Sequence, residues 1–307
     1  MIDFRYHLIS IIAVLLALSI GIVTGSGFLG GPLLDRIEGR VKSLERDNAG
    51  FKEQLLAVQA EARASDEALR TFGPRIVGGQ LVGDSVVVVR FDGADEALAE
   101  GIPAIIDEAG GTVTATITLT TKFALEDASQ AEELAGVLGS LETEASQLRD
   151  ATGAMMGKEA AAAAAQAKPG AELRLDRLLA ELEALDYAAV ERASQGSTVG
   201  FGSHFVILGG SGDQSPFPAA EIALPLAEEL SQELAVVVAE PAGSTWELTQ
   251  AVREDAEAQT TVWTVGNADE VLGQIATALT LARGESRPAE HYGDDSVGAA
   301  FPEPTPS

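Results

Sequence analysis

Residues 85–91 read SVVVVRF, an apolar run that carries a single charge, at Arg90. Four consecutive valines suit a β-strand buried on both faces, because β-branched side chains pack well on a pleated sheet. Strands of this kind are typical of parallel sheets that are covered by helices on each side. The stretch therefore predicts an α/β fold.

The sequence around this strand alternates between helical and strand patterns. Helices are predicted at 96–108, 128–149, 172–193, 218–234, 245–258 and 268–283, and strands at 112–120, 204–208, 235–239 and 261–265. Residues 151–170 fit either a helix or a connector. This alternation predicts a parallel-sheet, Rossmann-like α/β body over residues 74–283. Residues 284–307 are rich in Pro, Gly and acidic residues, which predicts a disordered tail.

Charge and composition exclude several classes of function. The 307 residues carry a net charge of −27 and contain no cysteine. Residues 1–34 hold one Asp and one Arg, so the acidic excess lies entirely from Asp35 onward. Such a surface repels phosphates, and no nucleic-acid partner is expected. The lack of cysteine excludes disulfides, thiolate metal sites and cysteine nucleophiles.

The N-terminal segment is predicted to be a membrane anchor. Residues 8–34 carry no charge, and about 20 apolar residues are enough to cross a bilayer. We therefore expect a transmembrane helix within residues 1–32, with a cleaved signal peptide as the alternative. The small residues Ala13, Ala17, Gly21 and Gly25 recur every fourth position, a spacing that favours close packing of two helices in lipid.

The orientation of this anchor is open at the level of sequence. Arg5 precedes it, whereas Arg36, Arg40 and Lys42 follow it, so the positive-inside rule favours a cytoplasmic body. The short N-terminal flank instead favours export of the chain that follows.

Residues 33–73 carry a heptad pattern. With Leu34 at position a, apolar side chains occupy most a and d positions, and Asn48 is a polar insert of the kind that fixes register. Gly73-Pro74 is expected to end the helix. The pattern predicts a coiled-coil stalk and a parallel homodimer, and the alternative is an amphipathic helix docked on its own body. Together with the small residues of the membrane helix, the heptad positions form the predicted dimer interface: Ala13, Ala17, Gly21, Gly25, Leu34, Ile37, Val41, Leu44, Asn48, Phe51, Leu55 and Val58.

Acidic residues follow several of the predicted strands, where ligands bind in parallel sheets. Together they predict an acidic pocket for a hard cation, formed by Asp92, Asp95, Asp213, Glu240 and Asp269. Turns and helix N-caps prefer the same residue types, so a purely structural role is the alternative. The loop Gly209-Gly210-Ser211-Gly212 lacks the Lys-Ser/Thr of a P-loop and the spacing of a dinucleotide fingerprint.

The sequence offers no catalytic constellation. The three histidines, His7, His204 and His291, are far apart, and no nucleophile-elbow motif is present. We therefore expect a protein that is not an enzyme and has no resident cofactor, and the identity of any metal stays open.

Three stretches resemble the actinobacterial copper-transporter family of the MctB type: residues 4–29 (FRYHLISIIAVLLALSIGIVTGSGFL), 72–92 and 110–123. The resemblance implies an envelope protein whose body is extracytoplasmic, with copper as cargo and a role in copper efflux. Members of this family also resemble a corynebacterial membrane partner in cell separation, which controls a peptidoglycan hydrolase through its coiled coil. The resemblance therefore implies two functions, copper handling or a non-enzymatic adaptor of a division or envelope protein.

Overall fold

The computed structural model describes residues 4–164, 171–193, 202–211, 215, 217–284 and 288–293, without the side chains at 4, 26–35, 171 and 172. The chain divides into two compact units, Met1–Ser65 and Asp66–Ser307. The described part of the first unit, from Phe4 onward, is helical. The second is a mixed α/β unit.

The first helix, α1, runs from Phe4 to Val77. The prediction that Gly73-Pro74 ends this helix is wrong, because the helix continues for one more turn, where the Gly78 amide donates to the Pro74 carbonyl at 3.0 Å. Gly73 has a packing role instead. A Cβ at this position would lie 3.0 Å from Cδ1 of Ile275, so the glycine lets the helix approach its neighbour.

The second unit contains a mostly parallel sheet, as the sequence predicted, and the sheet has seven strands where five were expected. Its strands are β1 (Ser85–Phe91), β2 (Thr112–Leu119), β3 (Ala188–Arg192), β4 (His204–Leu208), β5 (Ala235–Ala239), β6 (Trp263–Val265) and β7 (His291–Tyr292). The order across the sheet is β3-β2-β1-β4-β5-β6-β7, and only the β2–β3 pair is antiparallel. In the central pair, Val86 is in register with His204 and Arg90 with Leu208.

Helices cover both faces of the sheet, which explains the four valines of β1. Val87 and Val89 belong to one apolar layer, and Val86 and Val88 to the other. The first layer packs under α3 (Ala128–Leu138), α4 (Ala145–Ala164), α5 (Ala171–Ala184), α6 (Ala220–Ser231), α7 (Leu248–Glu254) and α8 (Ala258–Thr261). The second packs under α2 (Glu96–Glu108), α9 (Val271–Ala282) and the end of α1.

Four local predictions need correction. The single helix expected at 245–258 is α7, which ends at Glu254 because Asp255 is extended, followed by α8 from Ala258. The single helix expected at 128–149 is two helices, because Gly139 adopts a left-handed conformation (φ 63°) that ends α3. The helix expected at 172–193 stops at Ala184, and the chain turns at Asp186 (φ 59°) into the edge strand β3. In the expected disordered tail, His291–Tyr292 form β7 beside β6, where Tyr292 stacks on Trp263.

Helices α4 and α6 pack unusually closely. A Cβ on Gly153 would lie 2.2 Å from the Ile222 carbonyl oxygen, and one on Gly157 would lie 2.7 Å from Cβ of Glu229. The two helices are also joined by the buried Arg149, whose Nε donates to Glu221 at 2.7 Å. The two glycines of α4 therefore set the distance between these helices.

An acidic pair joins α6 to the turn before α8. Burial, together with the nearby carboxylates of Asp255, Glu257 and Asp150, raises the pKa of Glu228 to about 7. The Asp255 pKa is lowered, because its carboxylate accepts the amides of Ala258 (2.9 Å) and Glu257 (2.8 Å). Below neutral pH, protonated Glu228 therefore donates to ionised Asp255.

This pair predicts a pH-dependent stability. The folded pKa of Glu228 lies above the ordinary glutamate pKa of 4.5, so the native state binds the extra proton and stability falls as pH rises from about 4.5 to 7. Glu228→Gln removes the charge and keeps a donor. After allowance for solvent screening, we expect it to stabilise the protein by about 1 kcal/mol at pH 8, or about 2–4 °C in Tm, and to give no gain at pH 5.

The measurement is thermal unfolding of the full chain at both pH values. Glu233→Gln, a change at an exposed carboxylate just after α6, is the control and should be neutral at both. An equal effect of Glu228→Gln at pH 5 and pH 8 would contradict the assignment.

Candidate functional site

The centre of the sheet contains a topological switch point. β1 and β4 are neighbours, but the chain leaves β1 for α2 on one face and leaves β4 for α6 on the other. In open parallel sheets this divergence creates a crevice at the carboxyl ends of the strands, where ligands bind. The loops that follow β1, β4 and β5 therefore border the position expected for a ligand.

The indole of Trp246 fills this crevice. A Cβ on Gly210 would lie 2.3 Å from Cζ2 of Trp246 and 2.8 Å from the Gly93 carbonyl oxygen. The ring also meets Phe91 edge-on, with centroids 6.3 Å apart, and the side chain is only 5% exposed. The glycines after β1 and β4 thus make room for a tryptophan at the position where other folds of this type admit a phosphate.

Backbone contacts hold the same loops together. The Asp95 amide donates to the Gly209 carbonyl at 3.2 Å, which ties the loop after β1 to the loop after β4. The side-chain hydroxyl of Ser244 lies 2.9 Å from the Gly210 carbonyl oxygen, with which it shares its proton, and this contact adds the loop after β5. The crevice is therefore closed by hydrogen bonds as well as by the indole.

Glu240 fastens the loop that carries Trp246. Its side chain is 3% exposed, and both carboxylate oxygens are used. Oε2 accepts from the amide and the hydroxyl of Thr249, each at 2.7 Å, and Oε1 lies 2.8 Å from Ser244 Oγ, whose single proton is shared between Oε1 and the Gly210 carbonyl. A buried carboxylate that accepts both Thr249 donors and shares the Ser244 proton stabilises a fixed loop, because each bond to the charged group offsets its desolvation.

The other predicted cation ligands have separate roles. Asp95 caps α2 by accepting the Leu98 amide at 3.1 Å, and Asp269 accepts the Ala242 amide at 2.7 Å. Asp92 is exposed, and Asp213 lies outside the described residues. Across the part of the chain that the structure describes, no three His, Asp or Glu side chains come together as a metal site.

The body's histidines and methionines are engaged in packing and hydrogen bonds. His204 Nδ1 pairs with Ser203 Oγ at 2.7 Å, and Met156 is buried in the core with Met155 packed against it. His291 Nδ1 pairs with Thr264 Oγ1 at 2.9 Å, and burial lowers the pKa of this imidazole. The sequence could not reveal the hydrogen bond of His291, since this residue lies in the tail of residues 284–307 that was expected to be disordered.

The N-terminal unit offers two apolar surfaces. Arg5–Gly25 is, within the described residues, the stretch long and apolar enough to cross a membrane, with a mean hydropathy of 2.6. Inside it, Ser19 Oγ and Thr24 Oγ1 donate to carbonyls one turn earlier, so their hydroxyls are satisfied without water. Several predicted heptad side chains are exposed, namely Ile37, Val41, Leu44, Phe51, Leu55 and Val58; the Leu34 side chain lies outside the described residues.

The packing at the switch point predicts the effect of one added methyl group. Gly210 does not adopt a positive φ, so Gly210→Ala tests space rather than backbone strain. Because its Cβ would overlap the indole of Trp246, we expect a loss of about 3 kcal/mol in the free energy of unfolding. Urea unfolding of the full chain in detergent micelles measures this.

Gly136→Ala is the matched control, because no atom lies within 4 Å of its added Cβ. This position is inside α3, so alanine should stabilise the protein by up to about 1 kcal/mol. If the two variants had the same stability, the switch point would be open rather than filled.

Comparison with known proteins identifies the family. The family described as "Copper transport outer membrane protein, MctB" matches residues 1–302. The protein "Copper transporter MctB" of Mycobacterium tuberculosis (strain ATCC 25618 / H37Rv) is 37% identical over 140 residues, which are 46% of this chain and 44% of that relative. The protein of the same name from Mycobacterium leprae (strain TN) is 34% identical over 140 residues. The matched region is thus less than half the length of these relatives, whereas the family match covers nearly all of this sequence. This chain belongs to the MctB family.

Proposed function

We propose that this protein is a membrane-anchored component of the cell envelope that acts in copper homeostasis. The match of residues 1–302 to a family described as a copper transport outer membrane protein is the observation that carries the proposal. The mycobacterial relatives that carry the name "Copper transporter" support the same reading. The contribution we propose is to copper efflux across the envelope.

The apolar helix supports the anchoring part of the proposal. Arg5–Gly25 has the length of a bilayer core, and its polar hydroxyls are bonded within the helix. The body would then lie on the extracytoplasmic side. The outer-membrane description of the family supports this side over the one favoured by the charge count at Arg36, Arg40 and Lys42.

We further propose that the protein works as a parallel homodimer. Leu44, Phe51 and Leu55 are large apolar side chains that are more than half exposed in the single chain. They recur at heptad spacing, and pairing with a second copy would remove them from water. In the bilayer, Ala13, Ala17, Gly21 and Gly25 would allow the two anchors to approach closely.

The copper role is proposed to be indirect and non-enzymatic. Cu(I) prefers thiolate and thioether ligands, and Cu(II) prefers imidazole. After residue 35 the sequence holds two methionines and two histidines, Met155, Met156, His204 and His291, and no cysteine. Their packing and hydrogen bonds favour structural roles, so the protein would assist efflux through its assembly or a partner rather than by carrying the ion.

A second candidate is an adaptor of the division machinery that regulates a peptidoglycan hydrolase. The observation that favours it is the same exposed apolar seam, because an unpaired apolar helix face also packs against a helix of another protein. Copper handling and septation therefore have to be scored together.

Two adjacent leucines test the proposal in cells. Leu55 is on the predicted seam and 57% exposed, whereas Leu56 is off the seam and 66% exposed. In a strain that lacks this protein, we expect cell-associated copper to rise above the wild-type level after a low copper load, and we score each variant by whether it restores the wild-type level. The wild-type chain and Leu56→Asp should restore it, whereas Leu55→Asp should not, because a charge at the seam weakens the dimer by about 3 kcal/mol or more.

Septation is scored in the same cultures before copper is added, and protein levels are matched by immunoblot. Normal copper together with unseparated cells in the deletion strain would replace the copper role with the adaptor role. Equal rescue by both aspartate variants would contradict the proposed dimer.

A further inference from the structure

The edge strand β7 is attached to the sheet by very little backbone. It contains only His291 and Tyr292. The Gly266 amide donates to the Tyr292 carbonyl at 2.8 Å, and the Thr264 amide lies 3.5 Å from the Glu290 carbonyl oxygen. A pairing this short is marginal without further contacts. Side chains must therefore supply much of the attachment.

A chain of side-chain hydrogen bonds joins β7 to its neighbours. Arg253 Nε donates to Thr264 Oγ1 at 3.0 Å, and the same hydroxyl lies 2.9 Å from His291 Nδ1. On the other side of the ring, His291 Nε2 lies 3.1 Å from the Gln259 carbonyl oxygen. A carbonyl only accepts, so the proton of the neutral imidazole is on Nε2. Nδ1 is therefore an acceptor, and the Thr264 hydroxyl donates to it.

This arrangement has no place for a second proton on the imidazole. The proton would be added at Nδ1, where the Thr264 hydroxyl already donates. Two donors would then face each other, and the hydroxyl of Thr264, a residue that is fully buried, would need another acceptor. A buried donor that loses its acceptor carries the full cost of its desolvation. Protonation of His291 therefore weakens the attachment of β7.

The charges around the ring act in the same direction. Burial, together with the positive charge of Arg253 on α7, lowers the pKa of His291 below the ordinary histidine pKa of 6.5, although the carbonyl on α8 opposes this change. The neighbouring carboxylate of Glu290 is engaged by the Tyr292 hydroxyl, which also faces Arg283. The released strand thus binds a proton more readily than the attached strand. The attachment is complete above about pH 7.5 and weakens as pH falls below about 6.5.

We propose that His291 is a pH-sensitive latch, which holds β7 on the sheet while the imidazole is neutral and releases the strand when the imidazole is protonated. Release frees the Gly266 amide and uncovers Trp263, on which Tyr292 is stacked. The edge of β6 then becomes available for pairing with another extended segment. The inference does not depend on the copper role.

Hydrogen exchange of the full chain in detergent micelles, measured by mass spectrometry, tests the latch. The Gly266 amide reports on β7, because its acceptor is the Tyr292 carbonyl. The Gly209 amide, which donates to the Ala239 carbonyl at 2.9 Å in the centre of the sheet, is the internal control. After correction for the intrinsic rate, we expect exchange around Gly266 to rise about fivefold from pH 7.5 to pH 5.5, and exchange around Gly209 to stay constant or fall.

The sign of this response separates the latch from the stability of the whole body. The pKa of Glu228 is raised to about 7, so its titration stabilises the folded body as pH falls over the same range. Faster exchange around Gly266 at pH 5.5 would therefore be a local event that opposes the global trend.

Four variants assign the response, each compared with itself at the two pH values. His291→Gln cannot gain a proton and should show no change of exchange with pH. Thr264→Ser keeps the hydroxyl and should retain the response, whereas Thr264→Val removes it and should reduce the response, because Nδ1 is then free to accept a proton. Glu290→Gln, which removes the other titratable group next to the ring, should retain the response.

The latch would be refuted by constant exchange around Gly266 in the wild-type chain, or by an equal response in His291→Gln. Loss of the response in Glu290→Gln would assign the titration to the carboxylate instead. Equal acceleration around Gly266 and Gly209 would show that the whole sheet loosens, which also contradicts the proposal.

Discussion

The parallel pairing of β1 with β4 joins the two halves of the sheet, and the loops at its carboxyl end must be closed for the body to hold together. Trp246 closes them by packing against Gly93 and Gly210, while the buried carboxylate of Glu240 fixes the loop that carries the indole. In other open parallel sheets a ligand crevice lies at this point, whereas here the side chain of Trp246 occupies the space as part of the core. Fold alone is therefore a poor guide to function in this chain.

The function of this chain has to be argued from its family and from the apolar surfaces that α1 exposes. The MctB family connects the chain to copper and to the envelope, and the anchor and the exposed heptad side chains of α1 agree with a membrane-bound assembly. The chemistry of the body points away from direct carriage of copper, because Met156 is a core residue and His204 and His291 are bonded to neighbouring hydroxyls. The proposed role is accordingly one of assembly and partner contact, with copper as the process affected.

Much of the body was predictable from local patterns. The valines of β1 and the alternation that follows are dominated by burial, so the parallel sheet and most helices followed from periodicity. The closure of the switch point was not predictable, because the glycine-rich loop after β4 has the same composition whether it holds a phosphate or a tryptophan. Strands β3 and β7 were missed because they are short edge strands, stabilised by pairing with β2 and β6 rather than by their own apolar content. Asp95, Glu240 and Asp269 could be placed at the correct edge, but their capping and loop contacts depend on tertiary geometry.

The most direct test of the central claim is the copper content of the protein itself. The full chain, purified in detergent, is equilibrated separately with Cu(I) and Cu(II), desalted against a competing chelator, and analysed for copper by mass spectrometry. An indirect role predicts copper far below one ion per chain in both states. Retention of one or more copper ions per chain would contradict it and would make this protein a direct carrier.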